Sequence, residues 1–300
     1  MMKKTLFLYS LLALAVFLNG CKTVRAEGPQ MPVPAAKPHV EKAKNNLKNK
    51  RKTAGEIPPV LGGVVQSDSW VIYKDKQQEE FTGNVSYDNG AYIFRADYAL
   101  SERAQSRFSA RGRVYLRQNE PDGSFYEAYA DSARYNYKTQ KGVLTATADK
   151  TVKIIYSDAK KQTVTATAKR ASFDLNQKIF ILQDKVRVER PTPKGTEILS
   201  AEKATYKQDE NYAILEGGTK ATDGSRTLEA ETIVYDGNQN ASYAYGARPL
   251  VHGQTDQGTF AVIADKVSSD NAAGTISLDG KVQGWIVSPQ LNEADANSKF

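Results

Sequence analysis

Apolar and polar residues alternate along most of the chain after residue 60, with the period of two that is typical of half-buried β-strands. A clear example is the run KIFILQDKVRVER, in which Lys185, Arg187 and Glu189 share one parity. The other parity is held by Phe180, Leu182, Val186 and Val188. No apolar stripe with helical spacing extends beyond two turns in this part of the chain. The pattern therefore predicts an all-β domain.

The alternation recurs in units of roughly 29 to 38 residues, a period typical of repeat architectures. Each unit starts at a small residue that is followed by an acidic residue or a lysine. These small residues are Ser67, Ala96, Ala130, Ala168, Ala201, Ala230 and Ala264. Small or apolar residues follow three and fourteen positions later in every unit, and turn residues separate them. Seven such units predict a stack of strand–turn–strand repeats that share one continuous interior.

The side-chain parity changes within each unit. In the sixth unit, Leu228 and Ala230 share one parity, whereas Ile233 and Tyr235 share the other. Either both faces of the strand are partly apolar, or a bulge turns the strand at its middle. We favour the bend, because it allows one strand to serve both halves of a two-walled sheet.

The first 20 residues are typical of a secretory signal, with Lys3 and Lys4 before an apolar run from about Leu6 to Leu18. The run ends in Leu-Asn-Gly-Cys, which resembles the cleavage and lipidation site of bacterial lipoproteins. Under this hypothesis, residues 1–20 are removed and Cys21 is acylated, which anchors the chain to a membrane. The alternative is ordinary cleavage after Ala26, which would remove the cysteine.

Residues 21–58 are rich in proline and lysine and lack apolar periodicity, so we interpret them as an extended tether. Its cations either lie on anionic lipid or are merely solvated. Residues 22–52 hold nine Lys or Arg and two Glu, which accounts for most of the formal charge of +7. The predicted domain, residues 59–288, is close to neutral, which argues against nucleic acid as a partner. Residues 289–300 are expected to form a flexible tail.

The chain is poor in residues that support catalysis or metal binding. It has two histidines, of which His39 lies in the tether and His252 at a predicted strand end, and its single cysteine is Cys21. No Ser/His/Asp or Cys/His set can be assembled from them. Aspartates in the turns fit turn chemistry rather than a calcium loop. We therefore expect no catalytic residue, no metal and no cofactor.

The phrases SAEKATYKQDENYAILEGGTKATDG and RTLEAETIVYDG resemble the OstA-like domain of lipopolysaccharide-transport proteins, the family of LptA with relatives LptC and the N-terminal part of LptD. The resemblance is strongest over 196–237, fair over 125–190 and weak at either end. It implies an elongated, twisted β-jellyroll with two facing antiparallel sheets. It also implies that lipid acyl chains slide along an apolar groove, that subunits pair through their sheet edges, and that the protein is not an enzyme.

On this basis the expected function is non-catalytic binding of lipopolysaccharide and its transport across the periplasm to the outer membrane. The predicted groove residues are Ala133, Tyr135, Leu144, Ala171, Phe173, Leu182, Ala204, Tyr206, Leu215, Leu228, Ile233, Tyr235 and Leu278. The expected partners are lipopolysaccharide or a related lipid, other Lpt-type jellyroll proteins and a membrane, and a homo-oligomer is left open. Lys22 follows the cysteine where inner-membrane lipoproteins have aspartate, which favours the outer membrane.

A second hypothesis remains open at this point. A tethered β-solenoid with a fully packed interior would show the same alternation, because a groove is a core that is only partly filled. Such a lipoprotein would serve assembly and bind partners through its sheet edges. An enzyme or a polysaccharide-binding module is a more distant alternative.

Overall fold

The computed structural model describes residues 63–159, 161–192, 195–255, 258–270, 273 and 275–287. The predicted signal, Cys21, the tether and the tail lie outside these residues, as do residues 59–62 and 288 of the predicted domain. The described chain is built from strands and turns, with one short 3₁₀ helix at Arg103–Gln105. No helix within the described ranges is long and apolar enough to cross a membrane. The predicted all-β class is confirmed.

Twenty strands make up the fold, and all of their pairings are antiparallel. The first ten are β1 (Val64–Gln66), β2 (Ser69–Tyr73), β3 (Gln78–Asp88), β4 (Tyr92–Glu102), β5 (Arg107–Asn119), β6 (Phe125–Asn136), β7 (Lys141–Thr145), β8 (Val152–Ser157), β9 (Thr163–Ala168) and β10 (Arg170–Asp174). The other ten are β11 (Ile179–Thr192), β12 (Gly195–Lys207), β13 (Tyr212–Thr222), β14 (Arg226–Asp236), β15 (Ala241–Tyr245), β16 (Leu250–Thr255), β17 (Gly258–Ile263), β18 (Lys266–Asp270), β19 (Thr275–Asp279) and β20 (Gln283–Val287).

The register of these pairings separates the strands into two walls. The first wall has the order β2-β3-β4-β5-β6-β7-β10-β11-β12-β13-β14-β15-β18-β19. The second wall has the order β1-β3-β4-β5-β6-β8-β9-β11-β12-β13-β14-β16-β17-β20. Eight long strands, β3–β6 and β11–β14, run through both walls. This is the two-sheet arrangement of a β-jellyroll.

The predicted bend in these long strands is confirmed. In β14, Leu228 and Ala230 pair within the second wall, whereas Ile233 and Tyr235 pair within the first. The ladder between β13 and β14 is interrupted at this point, so Glu231 has no partner across the ladder. A bulge increases local twist and bends the strand. The anchor position of the repeat is therefore the corner where one wall becomes the other.

Most of these corners contain backbone residues with positive φ. Two consecutive residues with positive φ face the anchor, for example Gly217 at +82° and Gly218 at +57° opposite Glu202. A Cβ on Gly217 would lie 2.8 Å from the Cβ of Glu202, so no larger side chain fits without movement. At the third anchor, Asp131, neither Ala146 nor Thr147 has positive φ. Because this corner departs from the others, seven as the number of equivalent repeats stays a prediction.

The apolar faces of the two walls pack against each other. One example is Phe94 of the second wall, whose ring meets Phe108 of the first edge to face at 5.3 Å between centroids. Buried residues form two clusters, which we call the N-terminal core and the C-terminal core. The N-terminal core extends from Phe81 to Ala171, and the C-terminal core from Val164 to Val267. Both cores contain residues of both walls, which defines the interior between them.

Candidate lipid-binding interior

The predicted groove residues fall into two neighbouring rows on the inner face of the first wall, apart from Leu228, which lies in the second wall. The inner row lies nearer the corner and crosses thirteen strand segments through direct cross-strand pairs. It consists of Phe81, Ala99, Ala110, Ala133, Leu144, Ala171, Leu182, Ala204, Leu215, Ile233, Ala244, Val267 and Leu278. These are the positions three and fourteen residues after the repeat anchors, apart from the exposed Trp70, which pairs with Phe81 at the N-terminal edge. A sequence period of about 30 residues therefore becomes one continuous row in space.

The second row, the rim row, lies two residues further from the corner. It consists of Phe108, Tyr135, Gly142, Phe173, Phe180, Tyr206, Ala213, Tyr235, Ser242 and Ser269. Large and small side chains alternate at several places along it. The rings of Tyr135 and Phe173 stack at 6.0 Å across Gly142, where a Cβ would lie 2.1 Å from the Phe173 ring. Burial raises the pKa of both Tyr135 and Tyr235, as expected for phenols held in an apolar layer.

Much of the inner row is filled by protein. Leu215 is 1% exposed and Ile233 is 0% exposed, and both belong to the C-terminal core. Leu182 and Leu278 are only partly buried, as are Tyr135 and Phe173 of the rim row. The walls are thus in contact near the corner, and partly exposed apolar surface lies toward the rim at Tyr135 and Phe173, whereas Tyr206 and Tyr235 of the rim row are buried. An acyl chain would reach the inner row only if the walls moved apart.

Charged residues lie on the inner face of the second wall, toward its rim. Arg190 donates from Nε to Oε2 of Glu197 at 2.8 Å, and Arg226 pairs with Asp223 at 3.3 Å. Both carboxylates are buried, and desolvation raises the pKa of Glu197 despite the neighbouring arginine. The rim of the interior is therefore aromatic on the first wall and ionic on the second.

Sequence reasoning missed these ion pairs, although a signal was present. Arg190 has the parity of the buried Val188, and Glu197 has the parity of the buried Leu199. A charged residue whose side chain points into the interior is expected to have a buried partner of opposite charge. The cross-strand pairing of β11 with β12 places the two residues directly opposite each other.

Polar groups mark both ends of the rim row. At the N-terminal end, Ser101 and the buried Glu79 continue the row, and Glu79 pairs with Arg103. At the C-terminal end, the hydroxyls of Ser242 and Ser269 are buried and have no hydrogen-bond partner among the described residues. The apolar length of this row is therefore bounded at both ends.

Each wall ends in an edge strand with exposed apolar side chains. At the N-terminal end, β2 is exposed along its whole length, with Trp70 at 53%. At the C-terminal end, β20 is exposed along its whole length, with Ile286 at 72%. Within the described chain, β2 pairs only with β3 and β20 only with β17. Both edges offer backbone groups and apolar surface to another strand.

Comparison of the sequence with known protein families gives a match. Residues 64–200 match the family described as "LptA/(LptD N-terminal domain) LPS transport protein". This stretch matches the LptA-type family. The match ends at residue 200 and so includes only the first few residues of 196–237, where the resemblance of the sequence phrases is strongest.

Solved structures include one relative of the LptA type. It is LptH of Pseudomonas aeruginosa, described as the LptA homologous periplasmic component of the lipopolysaccharide transport device. The two chains are 18% identical, the likeness covers 39% of this chain and 79% of that one, and the TM-score is 0.33. No curated protein matches the chain.

The two-walled geometry continues beyond the matched stretch. The corners at Gly217 and Gly246 lie beyond residue 200 and repeat the positive φ found at Gly83 and Gly112. The inner row also continues without interruption to Leu278. The same two-walled architecture thus extends through the described residues on both sides of position 200.

The described part of the chain contains no group of three or more His, Cys, Asp or Glu side chains placed to hold a metal ion. His252, predicted to be a strand histidine, lies in β16 on the second wall. Its Nε2 is 3.7 Å from Oε1 of Glu229, and its side chain is partly exposed.

Proposed function

We propose that this chain binds lipopolysaccharide between its two walls and takes part in its transport across the periplasm to the outer membrane. The observation that carries the proposal is the unbroken inner row from Phe81 to Leu278, in a chain whose residues 64–200 match a lipopolysaccharide-transport family. Apolar side chains arranged along a direction of travel suit a lipid whose tails must be kept from water. No chemical step on the lipid is part of this proposal.

Entry of the acyl chains requires the walls to separate. The eight long strands connect the walls at their corners, whereas the hairpin turns lie at the opposite margins. Opening about the corners would expose the rim row first and the inner row afterwards. Each buried methylene of the lipid would contribute about 0.8 kcal/mol, which would offset the wall contacts that are lost.

The two rims would contact different parts of the lipid. The aromatic side chains of the first wall, such as Phe173, suit the upper part of the acyl chains. The ion pairs of the second wall, such as Arg190 with Glu197, lie where sugars and phosphates would leave the interior. The head group would thus remain at the open side while the tails occupy the interior.

The proposal includes a membrane anchor and protein partners. Acylation of Cys21 would hold the chain to a membrane, with the outer membrane favoured by Lys22, and residues 21–58 would act as the tether. Strands β2 and β20 would pair with the edges of other Lpt-type proteins, or of a second copy, to extend the interior.

A pair of variants tests binding in the interior. Phe108 of β5 points inward and is half-buried, whereas Ser86 of β3, next to the buried Val85, points to the outer face. We expect Phe108→Asp to weaken lipopolysaccharide binding by about tenfold or more, and Ser86→Asp to change it less than about twofold. The measurement is equilibrium binding of purified lipopolysaccharide to the full chain, and thermal melting of each variant serves as the folding control. Equal affinities in two folded variants would contradict the proposal.

The packed inner row favours one alternative, a structural or assembly protein whose interior never opens. Under this alternative the chain acts only through its exposed edges, and Phe108→Asp leaves partner binding intact as long as the domain folds. Lipopolysaccharide that copurifies with the chain and is lost in Phe108→Asp would exclude the alternative.

A further inference from the structure

A second candidate site lies on the outer face of the first wall, away from the interior. A cleft of 470 Å³ is present over β6, β7, β10 and β11. Its floor includes Val143, Ser172 and Ile181, which alternate with the inward-facing Leu144, Ala171 and Leu182. Three rim-row residues, Tyr135, Gly142 and Phe173, border it as well. Because successive side chains point to opposite faces of a sheet, this floor faces away from both cores.

Four cationic side chains line this outer cleft: Arg107, Arg134, Lys141 and Arg170. Asp174 is the one carboxylate in the lining, and its Oδ2 lies 3.0 Å from the Nζ of Lys141. Hydrogen bonds from the Gln177 backbone and from Lys141 lower the pKa of Asp174, so it remains ionised with its partner. The charge of Lys141 is thus already compensated.

The arginines differ in their partners. Arg107 donates to Glu102 from Nε at 2.5 Å and from Nη2 at 2.8 Å. Arg134 and Arg170 have no hydrogen bond or ion pair with any side chain in the described part of the protein. Both are exposed, and they reach the same cleft from β6 and β10, with β7 between them. Two uncompensated guanidinium groups at one cleft attract an anion.

The floor of the cleft is apolar, which narrows the ligand class. Val143, Ile179 and Ile181 are only partly buried, so their side chains offer apolar surface beside the two guanidinium groups. A small hydrated anion would leave this surface in contact with water. An anion attached to an apolar chain would cover it and gain the free energy of burial.

We propose that the outer cleft binds a phosphate group carried on an apolar chain, with Arg134 and Arg170 contacting the phosphate and Ile181 and Val143 contacting the chain. Guanidinium groups suit phosphate because their planar N–H donors match its oxygens in pairs. The two arginines and the aliphatic floor belong to the outer face of these strands, while Tyr135, Gly142 and Phe173 of the rim row also border the cleft. It does not depend on the function proposed above.

The test compares three ligands by calorimetric titration of the full chain: octyl phosphate, inorganic phosphate and the uncharged octyl glucoside. We expect octyl phosphate to bind at least about tenfold more tightly than either of the others. The double variant Arg134→Gln/Arg170→Gln should lose about tenfold or more of the octyl phosphate affinity. The matched control, Arg187→Gln/Lys220→Gln, removes the same charge from cations that are paired with Glu189 and Glu229, and should change affinity less than about twofold.

The results of these titrations distinguish binding in the outer cleft from binding in the interior. Unchanged octyl phosphate affinity in Arg134→Gln/Arg170→Gln would place the ligand elsewhere and overturn the proposal, whatever the fate of lipopolysaccharide binding. Inorganic phosphate that binds as tightly as octyl phosphate would overturn the role of the apolar floor. Ser172→Trp, which fills the cleft without changing its charge, should also weaken octyl phosphate binding, and its thermal melting curve reports whether the fold is retained.

Discussion

The corners at Gly217 and at Asp131 turn the chain between the same two walls by different means. At Gly217 the backbone adopts a conformation that only glycine reaches without strain, and Glu202 packs against it. At Asp131 the turn has no glycine, and the carboxylate accepts hydrogen bonds from the backbone N and Oγ1 of Thr147, both at 2.8 Å, and from Lys150 at 3.0 Å. A corner can therefore be made by backbone freedom or by a side chain that binds the next strand segment.

The Asp131 corner also lies where the fold changes its regularity. The next anchor, Lys169, reaches back and donates from Nζ to the carbonyl oxygens of Ala148 and Lys150, both at 2.5 Å. Between these corners the long strands are replaced by the short strands β7–β10, and the N-terminal core gives way to the C-terminal core. The Asp131 corner thus relies on polar contacts alone, whereas the Lys169 corner adds polar contacts to the positive φ of Asp184 and Lys185.

The largest effect is expected at the glycine corner. Gly217→Ala introduces a Cβ that meets Glu202 and forces a positive φ on a non-glycine residue, so we expect a loss of about 2–4 kcal/mol in the free energy of unfolding. Gly218→Ala is the matched control, because nothing lies within 4 Å of its added Cβ, and it should lose about 1 kcal/mol. Urea unfolding of both variants measures the difference, and equal losses would show that the close approach of Glu202 has no effect.

A smaller effect is expected at the polar corner. Asp131→Ala removes an acceptor from three donors, and we expect a loss of about 1–3 kcal/mol in the free energy of unfolding. Asp97→Ala at a glycine corner is the control, since Asp97 is more exposed and is paired with the exposed Arg113. Its loss should stay below about 1 kcal/mol. If Asp97→Ala destabilises the protein as much as Asp131→Ala, the two corners do not differ as described.

Lys169→Met probes the contact between the two middle corners and should have a local effect. Two charge-assisted hydrogen bonds to carbonyl oxygens are lost, while the methylenes of the side chain are largely retained. We expect hydrogen exchange of the backbone amides at 147–150 to accelerate by about threefold to tenfold, with little change in the global unfolding midpoint. Unchanged exchange in this segment would mean that Lys169 does not hold it.

The smallest effect appears only in acid. Hydrogen bonds from Thr147 and Lys150 lower the pKa of Asp131 to about 2, below the value of about 3.9 expected in the unfolded chain. Because the folded pKa is lowered, the stabilisation is fully present above pH 4 and is lost as the pH falls toward 2. The stability difference between the wild type and Asp131→Asn should therefore shrink over this range. A difference that stays constant from pH 5 to pH 2 would contradict the shift.

The architecture could be predicted from the sequence because its signals are local and repeated. The change of parity between Ala230 and Ile233 predicts a bend, and the structure has a bulge between them. The positions of Leu144 and Leu182 in the repeat predict that they are equivalent, and Ala171 lies between them in one cross-strand row. The sequence could not predict that Leu215 and Ile233 are fully covered, since this depends on how closely the two walls approach.

The outer cleft could not be predicted from the sequence either. Arg134 and Arg170 are far apart in the sequence and meet only because residues 146–169 cross to the second wall, so that β7 and β10 become neighbours. The Arg190–Glu197 pair could be predicted from the sequence, because both charged residues occupy positions whose side chains point into the interior. For both sites, the sequence gives the residue types but does not show which distant residues the fold brings together.

Crosslinking of lipid from two residues of β12 tests the proposed interior most directly. Tyr206 points into the C-terminal core, whereas Ser200 points to the outer face of the second wall, between Arg187 and Lys220. A photoreactive p-benzoylphenylalanine at either position is activated in cells that produce lipopolysaccharide. We predict lipopolysaccharide adducts from position 206 and at least about tenfold fewer from position 200. Adducts formed only with protein at position 206, in a variant that folds normally, would contradict a lipid-binding interior.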